Sequence, residues 1–144
     1  MEYLDLVIIM VDFKVVLSDP ATGKAYNIDA SGAGAGAFIG KRIGDEIDGA
    51  ALGFEGYKIR ITGASDRNGT PARKSLQIAG RRKVLMAGGV GFHPRVEGER
   101  RRKMVRGAEI TQDFVQINAI VATQGPKTLA EYFAPAEPEA PAAE

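Results

Sequence analysis

The chain has 144 residues, and its 19 Lys and Arg residues nearly balance 18 Asp and Glu residues, for a formal net charge of +1. It contains no cysteine and a single histidine, His93, which excludes disulfides, thiolate zinc sites, thiol nucleophiles and multi-histidine metal centres. The length allows one domain with its own hydrophobic core.

The first residues hold a short apolar run, but Glu2 and Asp5 stand where a signal peptide would carry positive charge. The run is also too short to span a bilayer. We therefore expect a cytoplasmic protein that is not exported and has no membrane partner. Because Met10 directly precedes a strand-like pattern, residues 1–9 are predicted to be a disordered extension or a mis-assigned start.

Alternating apolar residues predict a chain built mainly of strands. In GYKIRITG, for example, Tyr57, Ile59 and Ile61 lie on one face and polar residues on the other, as in a half-buried strand. The predicted strands are DFKVVLSDP (12–20), KAYNIDA (24–30), GYKIRITG (56–63), SLQIAG (75–80), RKVLMAGG (82–89) and FVQINAIVATQG (114–125).

Two short helices complete the predicted domain, which spans residues 10–133. One is expected between Ala37 and Leu52, although glycines interrupt its pattern, and one over 128–133, where Thr128 and Glu131 form a capping box. The closely spaced strands predict a small β-barrel-like domain. Residues 134–144 contain only Pro, Ala and Glu, which predicts a disordered acidic tail.

Two segments resemble each other. KRIGDEIDGAALGFEGYKIRITG (41–63) and KMVRGAEITQDFVQINAIVATQG (103–125) share a basic start, a glycine, an acidic turn and a strand. The similarity indicates two related halves, or it arose by chance.

A glycine-rich stretch, SGAGAGAFIGKR, carries Gly32, Gly34 and Ala37 in the looser G-x-G-x-x-A spacing of a dinucleotide-binding loop. That loop belongs to a βαβ unit with an acidic residue about 20 positions further on. The surrounding pattern is not α/β, and the acids come too soon. We interpret the stretch as a flexible loop of small residues and expect no cofactor.

No catalytic or metal site is predicted. The acidic residues Asp45, Glu46 and Asp48 are interpreted as a solvated turn, with Asp45 bonding a backbone amide. No Ser, Cys or Asp constellation accompanies His93, which argues against a general base. Stacking on a nucleotide and a plain loop position both stay open for it.

The neutral net charge hides a basic region. Residues 81–106 hold nine Lys or Arg and two Glu, whereas the last seventeen residues hold four Glu and no base. Within RVEGERRRKMVRG (95–107), six cations repel one another, with only Glu97 and Glu99 to offset them. A solvated charged face is one interpretation. The excess of Arg favours bidentate phosphate contacts and hence a polyanionic partner.

Nucleic acid is the favoured partner for this region. RNA is preferred over DNA because no helix-turn-helix or zinc-finger pattern is present. Gly98 and Gly107 are expected to keep the segment compact and to let backbone approach the partner. A second basic cluster precedes the segment at Arg81, Arg82 and Lys83.

The stretch HPRVEGERRRKMVRG (93–107), with the upstream SDRNGTPARKSLQIAGRRKVLMAGGVGF (65–92), resembles the archaeal and eukaryotic ribosomal protein S6e family of the small subunit. The opening FKVVLSDPATGKAY fits as well, and the resemblance covers residues 11–125. It implies a structural, non-enzymatic protein of the 30S subunit. The implied partners are small-subunit ribosomal RNA and neighbouring ribosomal proteins, with no small-molecule substrate. The ending soon after Phe133 resembles archaeal members, which lack the long basic extension of eukaryotic ones.

The resemblance also implies an RNA clamp, in which cations neutralise phosphates and Glu97 or Glu99 holds particular arginines in place. The expected RNA-binding residues are Arg95, Arg100, Arg101, Arg102, Lys103 and Arg106, with Arg81, Arg82, Lys83 and His93 and the secondary candidates Lys41, Arg42, Arg67, Arg73 and Lys74. Two alternatives are a free RNA- or DNA-binding regulatory protein on a small β-barrel and a nucleotide-using enzyme built around SGAGAGA.

Overall fold

The computed structural model describes residues 11–133 as seven strands, two short α-helices and one 3₁₀ turn. The strands are β1 (Asp12–Asp19), β2 (Lys24–Ser31), β3 (Glu46–Asp48), β4 (Lys58–Asp66), β5 (Arg81–Met86), β6 (Arg101–Arg106) and β7 (Phe114–Thr123). The helices are α1 (Ala33–Gly36) and α2 (Leu129–Tyr132), and the 3₁₀ turn is Gly49–Leu52. The predictions for residues 1–9 and 134–144 lie outside the described residues. In 11–133, none of the helices has the length and apolar character needed to cross a membrane.

Five strands form the main sheet, in the order β2-β1-β7-β4-β3. β1 and β7 run parallel, and the other neighbours run antiparallel. The mainly β class is therefore confirmed. Within residues 11–133 the sheet does not close into a barrel, however, because β2 and the three-residue β3 are its two edges. Register shifts along β4 bend the sheet instead.

The core lies on one face of this bent sheet. Alternate residues of β1 point into it, and Phe13, Val15 and Leu17 are at most 1% exposed. The segment around α1 covers the open side, where the Phe38 ring packs edge-on against that of Phe13 at 6.5 Å. Each such buried side chain stabilises the fold by about 1.5–3 kcal/mol, so the period-two pattern specifies which face is inside.

Five of the six predicted strands are confirmed, but SLQIAG (75–80) is not a strand. Its carbonyls instead accept hydrogen bonds from the chain just after β6, at Gly107 N–H and Ala108 N–H. A Cβ on Gly107 would lie 1.5 Å from the Ile78 carbonyl oxygen. Gly107 therefore permits this internal backbone approach, and the expectation that it serves an external partner is wrong.

The helix predicted over 37–52 is also wrong. Gly40 and Gly44 adopt positive φ angles of 82° and 98°, which a right-handed helix cannot contain. The segment forms turns, β3 and the 3₁₀ turn. The final helix is confirmed as α2, but Thr128 makes no side-chain capping bond, so the predicted capping box does not form.

The two similar segments lie side by side in the structure. Their strands, β4 and β7, pair antiparallel at the middle of the main sheet. The basic start of the first segment also pairs with the second segment just after its own basic start, through a bridge between Arg42 and Glu109 and a hydrogen bond from Ile43 N–H to the Ala108 carbonyl. The repeated pattern therefore corresponds to a direct pairing of the two segments.

Candidate nucleic-acid interface

The basic hairpin, which we define as residues 81–106, consists of β5, β6 and the loop between them. The two strands pair antiparallel, from Arg81 opposite Arg106 to Met86 opposite Arg101. This pairing brings the basic cluster at 81–83 next to the basic segment at 100–106. It also corrects the expectation that residues 95–107 are all loop, since 101–106 form a strand that pairs with β5.

Because side chains alternate along a strand, the hairpin has two faces. The first, which we call the pocket face, carries Arg82, Val84 and Met86 from β5 and Arg101, Lys103 and Val105 from β6. The second, the open face, carries Lys83 and Leu85 with Arg102 and Met104, and the opposite pair Arg81 and Arg106 lies at its base. Met86 and Val105 are buried with Phe92 in a small core of their own, against which Leu76 and Val84 pack.

The pocket face borders a cleft of about 620 Å³, formed where the loop folds back over the strands. Phe92 lies at its base, with the Lys103 ammonium 5.8 Å from the ring centroid. The polar side chains that line it are His93, Arg95, Glu99, Arg101 and Lys103. The cleft thus gathers three cations and the single histidine around one carboxylate.

That carboxylate organises the loop. Glu99 Oε2 accepts a hydrogen bond from Arg95 N–H at 2.9 Å, and Oε1 lies 2.7 Å from Arg101 Nε. The pKa of Glu99 is lowered, chiefly by the hydrogen bond from Arg95 N–H and also by the charge of Arg101. Gly98, at φ 81°, provides the turn in which Glu99 N–H bonds back to the Val96 carbonyl. The expectation that Glu99 holds an arginine is confirmed, whereas Glu97 is simply exposed.

Arg106 has a different role from the one expected. Its side chain is only 6% exposed, so the expectation that it neutralises an RNA phosphate is contradicted by its burial. It lies 3.5 Å from Asp66 and 3.2 Å from Asp113, and it donates to the Thr111 hydroxyl at 2.6 Å. The guanidinium also stacks over the Phe114 ring, 4.8 Å from its centroid. Arg106 therefore fastens the hairpin to the main sheet.

Asp66 is the centre of this attachment, and its side chain is fully buried. Oδ1 accepts from Asn68 N–H and Thr70 N–H at 2.9 Å each, and Oδ2 lies 2.7 Å from Arg81 Nε. Burial alone would raise the pKa of Asp66, but the hydrogen bonds from Thr70, Arg81 and Asn68 outweigh it and lower the pKa. We call Asp66, Arg81, Arg106 and Asp113 the Asp66 ion cluster.

The Asp66 ion cluster was not predicted. The Asp-Arg-Asn-Gly sequence signals a turn in which an Asp side chain bonds backbone amides, and that part of the cluster could have been found. The arginine partners could not, because they come from later strands. Arg81 pairs with Asp66 and its side chain is 36% exposed, so its contact with RNA stays a prediction.

The secondary candidates lie along neighbouring segments. Arg73 is half-buried beside the hairpin base, where its N–H bonds the Arg106 carbonyl and its Nε donates to Ser75. Arg42 reaches Gln77 at 3.4 Å, and Lys74 lies against Gly44. The other four secondary candidates are exposed: Lys41, Arg42, Arg67 and Lys74.

The remaining sequence motifs carry no reactive site. The segment predicted as a flexible loop of small residues is instead packed: Gly34 lies in the four-residue α1 close to the Ala51 carbonyl, and Ala35 is buried. Asp45 accepts a hydrogen bond from Arg42 N–H, which confirms its turn role. Glu46 and Asp48 belong to β3 and not to a turn, and Glu46 pairs with Arg60 at 2.8 Å. Within 11–133, no group of three or more His, Asp or Glu residues could hold a metal ion.

Comparison with known proteins assigns the chain to a family. The family model described as Ribosomal protein S6e matches residues 13–134. The chain belongs to the ribosomal protein S6e family. Relatives of this S6e chain include the small ribosomal subunit protein eS6 of Methanospirillum hungatei, 96% identical over 135 residues that cover 94% of this chain and 100% of that protein.

Other S6e relatives are less similar in sequence but also match over most of both chains. The small ribosomal subunit protein eS6 of Methanoculleus marisnigri is 61% identical over 92% of this chain and 99% of its own length. That of Archaeoglobus fulgidus is 46% identical over 85% of this chain and 95% of its own. The resemblance stated from residues 93–107 is thereby confirmed, including its archaeal type.

Proposed function

We propose that the basic hairpin is the surface through which this protein binds small-subunit ribosomal RNA. As a member of the ribosomal protein S6e family, the protein is a structural constituent of the small ribosomal subunit and not an enzyme. Its place is the ribosome of the cytoplasm. Nothing in the family assignment favours the free regulatory protein or the nucleotide-using enzyme.

The observation that carries the proposal is the charge left over after the internal ion pairs are counted. Asp66 and Asp113 neutralise Arg81 and Arg106 at the base of the hairpin. The other cations of the hairpin have only Glu97 and Glu99 near them in sequence, and all but the half-buried Lys103 are exposed: Arg82, Lys83, Arg95, Arg100, Arg101 and Arg102. Among these six cations, Arg101 pairs with Glu99 at 2.7 Å. Such a concentration of exposed cations, five of them guanidinium groups, matches a phosphate backbone.

The fold lowers the entropic cost of these contacts. Residues 101–106 are held by β5, and Glu99 ties Arg95 to Arg101 across the loop. Groups that are already ordered lose less conformational freedom on binding. His93, at the rim of the same cleft, can add a stacking or hydrogen-bonding contact to a base.

The proposal is tested by replacing Arg100, Arg101 and Arg102 together with Ala and titrating small-subunit ribosomal RNA fragments at several salt concentrations. Each phosphate contact contributes roughly 0.7–0.9 to the log–log salt slope, so the slope should fall by about two to three. Circular dichroism should show an intact fold, because the three residues are exposed.

A matched control removes three exposed cations of the main sheet, Lys14, Lys24 and Lys58, in the same way. It should leave affinity and slope close to those of the unmodified chain. An unchanged slope in the arginine variant would refute the proposal. Unfolding of that variant would assign the three arginines a structural role.

A further inference from the structure

The arginine run divides between the two faces of the hairpin. Arg101 and Lys103 lie on the pocket face, whereas Arg102 lies on the open face beside Lys83 of the neighbouring strand. The Arg101 side chain is 63% exposed, and Lys83 and Arg102 are exposed as well. Each face of one two-stranded ribbon therefore presents cations to the surroundings.

A single RNA backbone could not contact both sets at once. Side chains on opposite faces of a sheet stand roughly perpendicular to it, in opposite directions. The guanidinium groups of Arg101 and Arg102 therefore extend in opposite directions. They lie about 10 Å or more apart, comparable to the distance between two sheets packed face to face. One strand of RNA lying along the pocket face leaves the cations of the open face without phosphates.

The open face also carries apolar side chains between its cations. Leu85 is 55% exposed and Met104 44% exposed, and β5 and β6 contribute no acidic residue to this face. Cations flanking an apolar centre suit RNA, in which phosphates surround the less polar sugar and base surfaces. The absence of acids from these strands removes the counter-charges that most protein partners with mixed surfaces would need.

We infer that the basic hairpin is inserted between two separate segments of ribosomal RNA and binds one on each face. The inference rests on the proposed function. The pocket face holds the first segment through Arg101, Lys103 and the loop cations around the cleft. The open face holds the second through Lys83 and Arg102, with Leu85 and Met104 against sugars or bases. The protein thereby joins two parts of the folded RNA.

Directed hydroxyl-radical cleavage tests this directly, because the natural chain has no cysteine. A cysteine placed at Leu85 on the open face, or at His93 on the pocket face, carries an iron chelate into reconstituted small subunits. Both substitutions keep every Lys and Arg of the hairpin but remove one proposed contact each, so incorporation of each labelled protein into the subunit is measured first; Met104→Cys replaces Leu85→Cys if that variant is not incorporated. The expected result is two sets of cleavages in separate RNA segments, one for each face.

Charge variants provide the matched comparison. Lys83→Gln with Arg102→Gln should remove footprint protection from the segment cleaved by the open-face probe only. Arg101→Gln with Lys103→Gln should do so for the other segment. Each pair should lower the salt slope by about 1.4–1.8.

Cleavage of one common segment from both positions would overturn the inference and leave the proposed function standing. Cleavage from the pocket face alone, with crosslinks from the open face to a ribosomal protein, would also overturn it and assign the open face to protein docking. If neither probe cleaves RNA although the protein is present in the subunit, the proposed function itself fails.

Discussion

Replacing Asp66 with Asn should destabilise the protein strongly, because within residues 11–133 Asp66 is the one carboxylate that contacts both Arg81 and Arg106. Its side chain is 0% exposed, and Arg106, 3.5 Å away, is 6% exposed. Breaking a buried ion pair costs about 3–5 kcal/mol. The contribution of Arg81 must be discounted because that side chain is about one-third exposed. The neutral amide can still accept the two backbone hydrogen bonds.

The remaining partner of Arg106 reduces the loss further. Asp113 lies 3.2 Å away, but its side chain is 69% exposed, so it compensates only in part. We therefore expect a loss of about 3 kcal/mol in the free energy of unfolding, near the lower end of the range for a buried pair. For a domain of this size the melting temperature should fall by about 10 °C.

Urea denaturation followed by circular dichroism measures this loss. The control is Glu46→Gln, the same change in the exposed Arg60–Glu46 pair, which should cost less than about 1 kcal/mol. Since the pKa of Asp66 is lower in the folded state, its stabilisation is present at neutral pH and is lost as the pH falls through that lowered value. The Asp66→Asn variant should therefore lack the loss of folding stability that protonation of Asp66 causes at acidic pH. A loss at pH 7 no larger than that of the control would refute the reasoning.

Two other substitutions test the hairpin. Gly107→Ala should cost several kcal/mol or prevent folding, because its Cβ would meet the Ile78 carbonyl oxygen at 1.5 Å. The control is Gly80→Ala, because a Cβ at that position meets nothing within 4 Å. Equal melting temperatures for the two variants would contradict the close backbone approach at Gly107. Glu99→Gln should keep the fold but weaken the bond that orients Arg101, and so reduce RNA affinity several-fold in the same titrations. Unchanged affinity would mean that Glu99 does not position the arginine for RNA.

Four of the five strands of the main sheet, all but β3, were predictable because one face of each is buried or half-buried. In β1 and β4, residues such as Val15 and Ile61 alternate with exposed ones, and the period of two is visible in the sequence. The same criterion fails for β6, where Arg and Lys occupy both faces. It also failed over 37–52, where positive-φ glycines and long-range backbone pairing decide the path.

The candidate site was predictable as a set of residue types but not as a geometry. Arg102 and Arg106 are equivalent in a local reading of ERRRKMVR, since both are cations in a basic segment. What separates them is the position of Asp66, which lies in another strand and pairs with Arg106 but not with Arg102. A single sequence shows the excess of charge, whereas the tertiary contacts decide which of these charges is already neutralised.

The division between fastening and binding arginines leads to one further expectation for Asp66→Asn. The substitution loosens the base of the hairpin but leaves Arg100, Arg101 and Arg102 in place. The number of phosphates neutralised should stay the same, so the salt slope should not change. Affinity should nevertheless fall, because a hairpin that must be ordered on binding loses more conformational entropy. A reduced slope in the same titration would show instead that the Asp66 ion cluster controls which cations reach the RNA.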